Sequence, residues 1–319
     1  MALAMKTAGL AVVVALTVAA QNAAQFITVD KDVKVEVLDW GGTGRPLVLL
    51  AGLGGTAHDF DTFARKLTDR YHVYGITRRG FGASSAPTSG YSADRLGDDV
   101  LAVIDALKLD KPVLAGHSLA GQELSSVGSR YPGRVAGLIY LDAGYSYAFY
   151  DRSRGDLFID LNNLERKLAH LHPGTETEDQ RALVRELLEK SLPRFERSLR
   201  EFQKMLNQEP RLPDPPRRPM QPIMGAIFAG WQEYTDINVP ILAIFALPHD
   251  MSKAIKDPAA RKIAEARDME STGAQATAFE KGLPSARVVR LAGADHFVFR
   301  SNEADILREI HAFIGALPK

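Results

Sequence analysis

From Phe26 onward, apolar and polar positions fall into short regular segments. Residues 26–29 and 33–38 read as two strands, and in the second Val33, Val35 and Val37 alternate with polar neighbours. That period of two marks a strand buried on one face. A glycine-rich turn over residues 39–44 follows, and then residues 46–51 (PLVLLA) are continuously apolar, as in a strand covered on both faces. Phe60, Phe63, Ala64 and Leu67 recur at helical spacing, residues 72–77 form the next strand, and Leu96, Val100, Val103, Ile104 and Leu107 mark a further helix. A strand over 112–115 runs directly into a helix expected from Leu119 to Tyr131, and residues 135–141 (VAGLIYL) are again a strand.

Strands alternating with helices imply a mostly parallel sheet with helices on both faces. The alternation stops after residue 143. Residues 145–236 are charge-rich and helical in pattern, with one apolar stripe at Leu183, Leu187 and Leu188 and another at Phe195, Leu199, Phe202 and Leu206. Six prolines in residues 210–222 end any helix there and imply a stiff, extended connection. Alternation resumes with a strand at 240–246, a helix around 258–282 and a strand at 287–291. Ile306, Ile310, Phe313 and Leu317 then close the chain as an amphipathic helix. No internal repeat is visible. One sheet domain, residues 25–144 and 237–319, interrupted after its sixth strand by a helical insertion over 145–236, accounts for the pattern.

Composition narrows the function more than the fold. Lys plus Arg equals Asp plus Glu, 39 of each, which gives no electrostatic reason to expect a nucleic-acid partner. Cysteine is absent, which removes disulfides, thiol catalysis and cysteine metal sites together. At the N-terminus a lysine precedes an uncharged apolar run over residues 7–20, with small residues at Val18-Ala19-Ala20 and Asn22-Ala23-Ala24. This is the layout of a secretory signal peptide, and it falls short of the about 20 apolar residues of a membrane span. Residues 1–24 are therefore assigned as a signal, with maturation near Gln21 or Gln25 and export to a periplasmic or extracellular location. A membrane tether arises only if the segment stays uncleaved.

The chemistry concentrates in residues 113–121 (VLAGHSLAG), where Ser118 stands at the join of a strand and a helix. Small residues two before and two after it, Gly116 and Ala120, permit a sharp turn that lifts the hydroxyl beside a helix N-terminus. This segment resembles the nucleophile elbow of the alpha/beta-hydrolase family, although Ala120 replaces the usual second glycine, which comes one step later as Gly121. Residues 51–55 (AGLGG) resemble the loop that supplies half of that family's oxyanion hole, with Ala51 where a histidine is common. Arg79-Gly80-Phe81-Gly82 resembles the turn after its fourth strand, with Thr77 in place of the common acid. The resemblance covers nearly all of residues 26–319, the insertion matching only in position and helical character.

The resemblance implies an alpha/beta-hydrolase fold with a helical lid after the sixth strand, and a triad in the order Ser, Asp, His. Ser118 is then the nucleophile. His296, in the loop after the last strand, is its base. The family usually carries the acid after the seventh strand, which assigns Asp250, at a spacing one residue longer than the common form; Asp142, after the sixth strand, is the alternative acid. The oxyanion donors would be the backbone N–H groups of Leu53 and Leu119. Among the other histidines, His72 and His311 lie in regular elements, His117 points away from the nucleophile, and His170 and His172 form an H-x-H that reads as a metal site or a solvated loop. Tyr145, Tyr147, Phe149 and Tyr150 open the insertion and Phe228 and Trp231 end it, lining an apolar pocket or packing lid onto core.

The expected activity is hydrolysis of an ester-like bond in a small, apolar substrate through an acyl-enzyme, with no organic cofactor and no metal. The serine nucleophile argues against dehalogenase and epoxide-hydrolase chemistry, which in this family use an aspartate. C–C bond hydrolysis, perhydrolysis or a lyase step on the same triad, or a non-catalytic binding protein on the same fold, are the alternatives. The sequence leaves the substrate's identity and the oligomeric state open.

Overall fold

The computed structural model describes residues 24–208 and 220–318. The signal assigned to residues 1–24 falls outside them but for Ala24, and so do five of the six prolines in residues 210–222. An eight-stranded sheet organises the rest. Strands β1 (Gln25–Asp30) and β2 (Val33–Gly41) form an antiparallel hairpin, and β2 is antiparallel to β4 (His72–Ile76). The remaining strands, β3 (Pro46–Leu50), β5 (Val113–His117), β6 (Gly137–Leu141), β7 (Ile241–Ala246) and β8 (Ala286–Leu291), run parallel to β4 and to one another. The strand order is β1-β2-β4-β3-β5-β6-β7-β8. The strand expected from residue 135 starts two residues later, because the backbone N–H of Ala136 bonds to Pro112 O before the β5–β6 ladder begins.

The central strands are buried on both faces, and their side chains divide by parity. In β3, Val48 and Leu50 enter the core shared with α2 (Ala93–Ala106) and α3 (Gly121–Arg130). Leu47 and Leu49 enter the opposite core, built with Phe60, Phe63 and Ala64 around α1 (Asp61–Arg65) and with Ile306, Ile310 and Phe313 of the last helix. Each such buried side chain contributes about 1.5–3 kcal/mol of transfer free energy, so register slips of one residue are strongly opposed.

Between β6 and β7 the chain forms α4 (Leu157–Leu168), α5 (Glu178–Glu186), α6 (Leu192–Leu206) and α7 (Pro222–Ala229). Asp156 caps α4 by accepting from the N–H groups of Phe158 and Ile159, an arrangement typically worth about 1 kcal/mol. Buried Asp160 ties the unit together, accepting from Tyr150 at 2.6 Å and from Ser198 of α6. Asn162 donates to Phe228 O at 2.8 Å, linking α4 to α7. After β7 come α8 (Pro258–Gly282), β8, the short α9 (Val298–Ser301) and α10 (Glu303–Ala316). No described helix is long and apolar enough to cross a membrane. The insertion leaves the sheet at the C-terminal end of β6, on the edge where ligands bind in open parallel sheets.

Candidate active site

Ser118 follows β5 with φ at 52°, a left-handed conformation that costs a non-glycine residue energy and persists only when its surroundings enforce it. Close packing supplies that enforcement. A Cβ on Gly116 would lie 2.9 Å from Ala120 Cβ and 3.1 Å from Leu124, so small side chains at 116 and 120 are steric requirements. A Cβ on Gly121 would collide with the backbone carbonyl of Ala143, in the segment leaving β6. The shift of the second glycine by one position therefore has a local cause: at 121, not 120, another backbone passes against the helix.

His296 Nε2 lies 2.9 Å from Ser118 Oγ, and His296 Nδ1 lies 2.5 Å from Asp142 Oδ2. This is the geometry of a nucleophile, its base and an orienting acid. Asp142 is fully buried and sits in a left-handed conformation (φ 48°) directly after β6. Its Oδ1 accepts the N–H of Ala246 at 3.0 Å, which fixes the carboxylate plane. Burial works to raise its pKa, but the bonds from His249 and His296 outweigh burial and hold it down at about 2.

Asp250, expected to be the acid, does not reach His296. Its exposed carboxylate accepts the N–H of Ser252 at 2.9 Å. The physical reason lies in the strand that precedes it. The chain beyond β7 continues to pair with the chain beyond β8, through a bridge of His249 to Ala294 and the bond from Asp250 N–H to Ala294 O. In such an extended stretch successive side chains face opposite ways. His249 therefore turns inward to Asp142 while Asp250 turns to solvent. The contact with His296 belongs to the alternative, Asp142.

His249 was not singled out from the sequence, and it is central. Its Nε2 lies 2.7 Å from Asp142 Oδ2 and its Nδ1 lies 2.9 Å from Asp268 Oδ2 on α8. Tyr145 donates its hydroxyl to the same Asp142 oxygen at 3.0 Å. Tyr147 is buried beside the nucleophile; burial raises its hydroxyl's pKa, the Asp142 charge adds to that, and contact with Ser118 opposes it. His117 is engaged at the site: its Nε2 lies 3.0 Å from His296 O, with the two rings 4.6 Å apart between centroids. Burial and the neighbouring His296 push the His117 pKa down to about 4, so it stays neutral as it braces the backbone of the base.

The loop holding Leu53 lies against the elbow, where a Cβ on Gly52 would sit 3.1 Å from Ser118 Cβ. Buried Arg78 holds this loop from behind, donating to Gly52 O at 3.1 Å and Ala51 O at 2.9 Å. Its other edge forms a two-point ion pair with buried Glu123 of α3, including Nη2 to Oε2 at 2.7 Å. With their carbonyls bonded to Arg78, Ala51 and Gly52 fix the peptide that carries the Leu53 N–H. Leu119, with the second candidate donor, is buried in the turn right after Ser118.

The aromatic residues at the ends of the insertion make packing contacts. Phe149 packs on Phe279 and Tyr150 bonds Asp160, so both serve packing. Tyr145, Tyr147, Trp231 and Phe228 form a continuous chain of ring contacts, 5.1–5.8 Å between centroids, from Asp142 to the far end of the insertion. His72 bonds Asp39 and His311 lies 3.0 Å from the Tyr71 hydroxyl, both away from the site. Exposed His170 and His172 belong to no group of potential metal ligands among the described residues. The one such group is Asp142, His249 and His296. Both imidazoles there contact a single carboxylate oxygen at 2.5 and 2.7 Å, which leaves no room for an ion at the about 2.0–2.2 Å that each ligand would require.

The model of a family described as "Alpha/beta hydrolase family" matches residues 47–309. The chain is 35% identical over 110 residues to a protein named putative carbamate hydrolase RutD of Caulobacter segnis, covering 34% of this chain and 41% of that one. It is 34% identical over 120 residues to a non-heme chloroperoxidase of Streptomyces lividans, covering 37% and 44%. The matched region thus spans less than half the length of these relatives. Two solved structures share the fold: E-2-(acetamidomethylene)succinate hydrolase, with a TM-score of 0.55 at 19% identity over 93% of this chain and 100% of that one; and an esterase from Rhodococcus sp. ECU1013, with a TM-score of 0.56 at 20% identity over 92% and 99%. With the family match spanning most of the sheet domain and the sheet itself ordered as described, the chain belongs to the alpha/beta hydrolase family.

Proposed function

We propose that the protein is a serine hydrolase that cleaves an ester-like bond of a small, apolar substrate through an acyl-enzyme. The observation that carries this reading is the continuous hydrogen-bonded line from Ser118 Oγ through His296 to buried Asp142. In the first half-reaction Ser118 Oγ attacks the carbonyl carbon while its proton passes to His296 Nε2. Asp142 keeps the imidazole oriented and stabilises its cation. The N–H groups of Leu53 and Leu119 are the proposed donors to the oxyanion, each such donor typically worth about 3–4 kcal/mol. His296 then protonates the departing alcohol oxygen. In the second half-reaction His296 takes a proton from water, the hydroxide adds to the acyl carbon, and Ser118 leaves with its proton restored. Tyr147, buried in contact with Ser118, and Trp231, packed on it at 5.1 Å between ring centroids, favour an apolar acyl or alcohol group. The helices between β6 and β7 act as its lid in this reading. The charged start and apolar run of residues 1–20 favour export as part of it.

Attack of hydrogen peroxide in place of water on the same acyl-enzyme is the second reading, favoured by the likeness to a protein named non-heme chloroperoxidase. The deciding experiment pairs the purified protein with its Ser118→Ala variant, a fluorophosphonate probe and p-nitrophenyl esters of graded acyl length. Stoichiometric labelling and ester turnover, both abolished in the variant, are expected. Near-normal turnover by Ser118→Ala would falsify the serine mechanism. Faster acyl transfer to added peroxide than to water would select the second reading.

A further inference from the structure

Asp142 serves two imidazoles, and only that of His296 also reaches Ser118. His249 presents both ring nitrogens to carboxylate oxygens, Nε2 to Asp142 Oδ2 at 2.7 Å and Nδ1 to Asp268 Oδ2 at 2.9 Å. Ionised carboxylates only accept, so the two bonds together require a proton on each nitrogen. The clamp is itself held in place. Asp268 Oδ2 also accepts the backbone N–H of His249 at 2.8 Å, and Asp268 Oδ1 accepts from Thr272 at 2.7 Å. The groups that face the ring are Asp142 at the end of β6, Tyr145 in the segment after it, Asp268 on α8, and His296 in the loop after β8 with ring centroids 6.0 Å apart.

We propose that His249 is a positioning residue, an imidazolium strapped between Asp142 and Asp268, which shares the oxygen that orients His296 and so sets how much negative charge the catalytic base meets. This rests on the reading of Ser118 and His296 as nucleophile and base. The charge balance gives the clamp its purpose. Asp142, His249 and Asp268 together carry one net negative charge, which His296 cancels when it takes the serine proton. Without His249 the site would hold two uncompensated carboxylates, one of them fully buried. Without Asp268 the His249 cation would cancel Asp142 and leave nothing to stabilise charge on His296. Titration of the ring agrees with the geometry. Burial pushes the His249 pKa down, but the bonds to Asp142 and Asp268 more than reverse this and carry it up to about 10.

The test uses the full chain labelled with ¹⁵N-histidine, which needs no substrate. His249 is expected to show two protonated ring nitrogens at pH 7 to 8. In His249→Gln the pH dependence of fluorophosphonate labelling should move to higher pH by about one unit or more, the scale of removing a cation within a few ångströms of the base. In Asp268→Asn the midpoint of His249 itself should fall by at least about one unit. A neutral His249 at pH 7 overturns the proposal, and so does an unmoved pH dependence of labelling in a folded His249→Gln protein. If that variant does not fold, an unmoved His249 midpoint in Asp268→Asn overturns it alone. Fluorophosphonate labelling of the wild type keeps the two readings apart. No labelling removes the hydrolase assignment while the titrations still report the clamp; labelling with unmoved midpoints removes the clamp and leaves the hydrolase.

Discussion

His296 Nδ1 lies 2.5 Å from Asp142 Oδ2, while the carboxylate of Asp250 is turned to solvent and bonded to Ser252. An acid in a triad acts by holding the imidazole in one tautomer and by opposing the charge it acquires. Only Asp142 is placed to do both. Asp142→Asn is expected to lower the acylation rate by up to about 10⁴-fold, and Asp250→Asn to leave it within about twofold, as for surface substitutions generally. Burst kinetics with a p-nitrophenyl ester measure both. The reverse ranking of the two variants would return the role to Asp250.

Most of the fold, and two of the three residues that the structure brings together at the candidate site, Ser118 and His296, can be read from the pattern of residues. Every sheet strand has an apolar run or an alternation of its own, and the junction at Ser118 has small neighbours whose steric need the packing at Gly116 bears out. The acid could not be read in the same way, because two aspartates follow two strands and chain order permits both. What separates them is the side to which each residue faces. That depends on the pairing of His249 with Ala294, a contact between segments 45 positions apart. The Arg78–Glu123 pair was equally hidden: both residues are charged, and a charged residue is ordinarily expected at the surface. A usable signal did exist in the adjacent His249-Asp250 pair, since one step of alternation sends one of two neighbours into the site.

Gly121 answers to the backbone that crosses it. A methyl group there would overlap the carbonyl of Ala143, which neither side chain rotation nor solvent can relieve. Gly121→Ala should therefore destabilise the fold by about 1–3 kcal/mol or more, the range of overpacking, and also disturb Asp142, the residue before Ala143. Ala120→Gly, which restores the common motif, has no such conflict and should stay within about 1 kcal/mol. Urea unfolding midpoints of the two variants compare them directly.

His249 also makes a prediction about stability and pH. Its folded pKa, carried up to about 10, lies above the ordinary histidine value of about 6.5. A group that binds its proton more tightly when folded contributes stability that is fully present below the unfolded pKa and fades as pH rises through the folded one. The wild type should lose thermal stability progressively between about pH 6.5 and 10. The part of that slope due to His249 should be missing in His249→Gln. Calorimetric melting temperatures across this window, compared between the two proteins, test the sign. An identical slope in both would show that His249 is not charged in the folded state.

Arg78 and Glu123 lie buried beneath the loop that carries Leu53, and they bear on stability and on catalysis in separable ways. Removing one partner leaves an uncompensated buried charge, so Arg78→Met or Glu123→Met alone should cost about 3–5 kcal/mol. Replacing both by methionine removes the two charges together, and such exchanges are often neutral for stability. The carbonyls of Ala51 and Gly52, however, regain no donor in the double variant. The Leu53 peptide then loses that support, and if its N–H is an oxyanion donor as proposed, the loss of one such donor typically lowers kcat by about 10²–10³-fold. The double variant is therefore expected to recover only part of the unfolding free energy, since each unpaired buried carbonyl still costs about 1–3 kcal/mol, while kcat for ester hydrolysis stays depressed and KM changes little. If activity returns together with stability, Arg78 holds the fold but not the oxyanion loop.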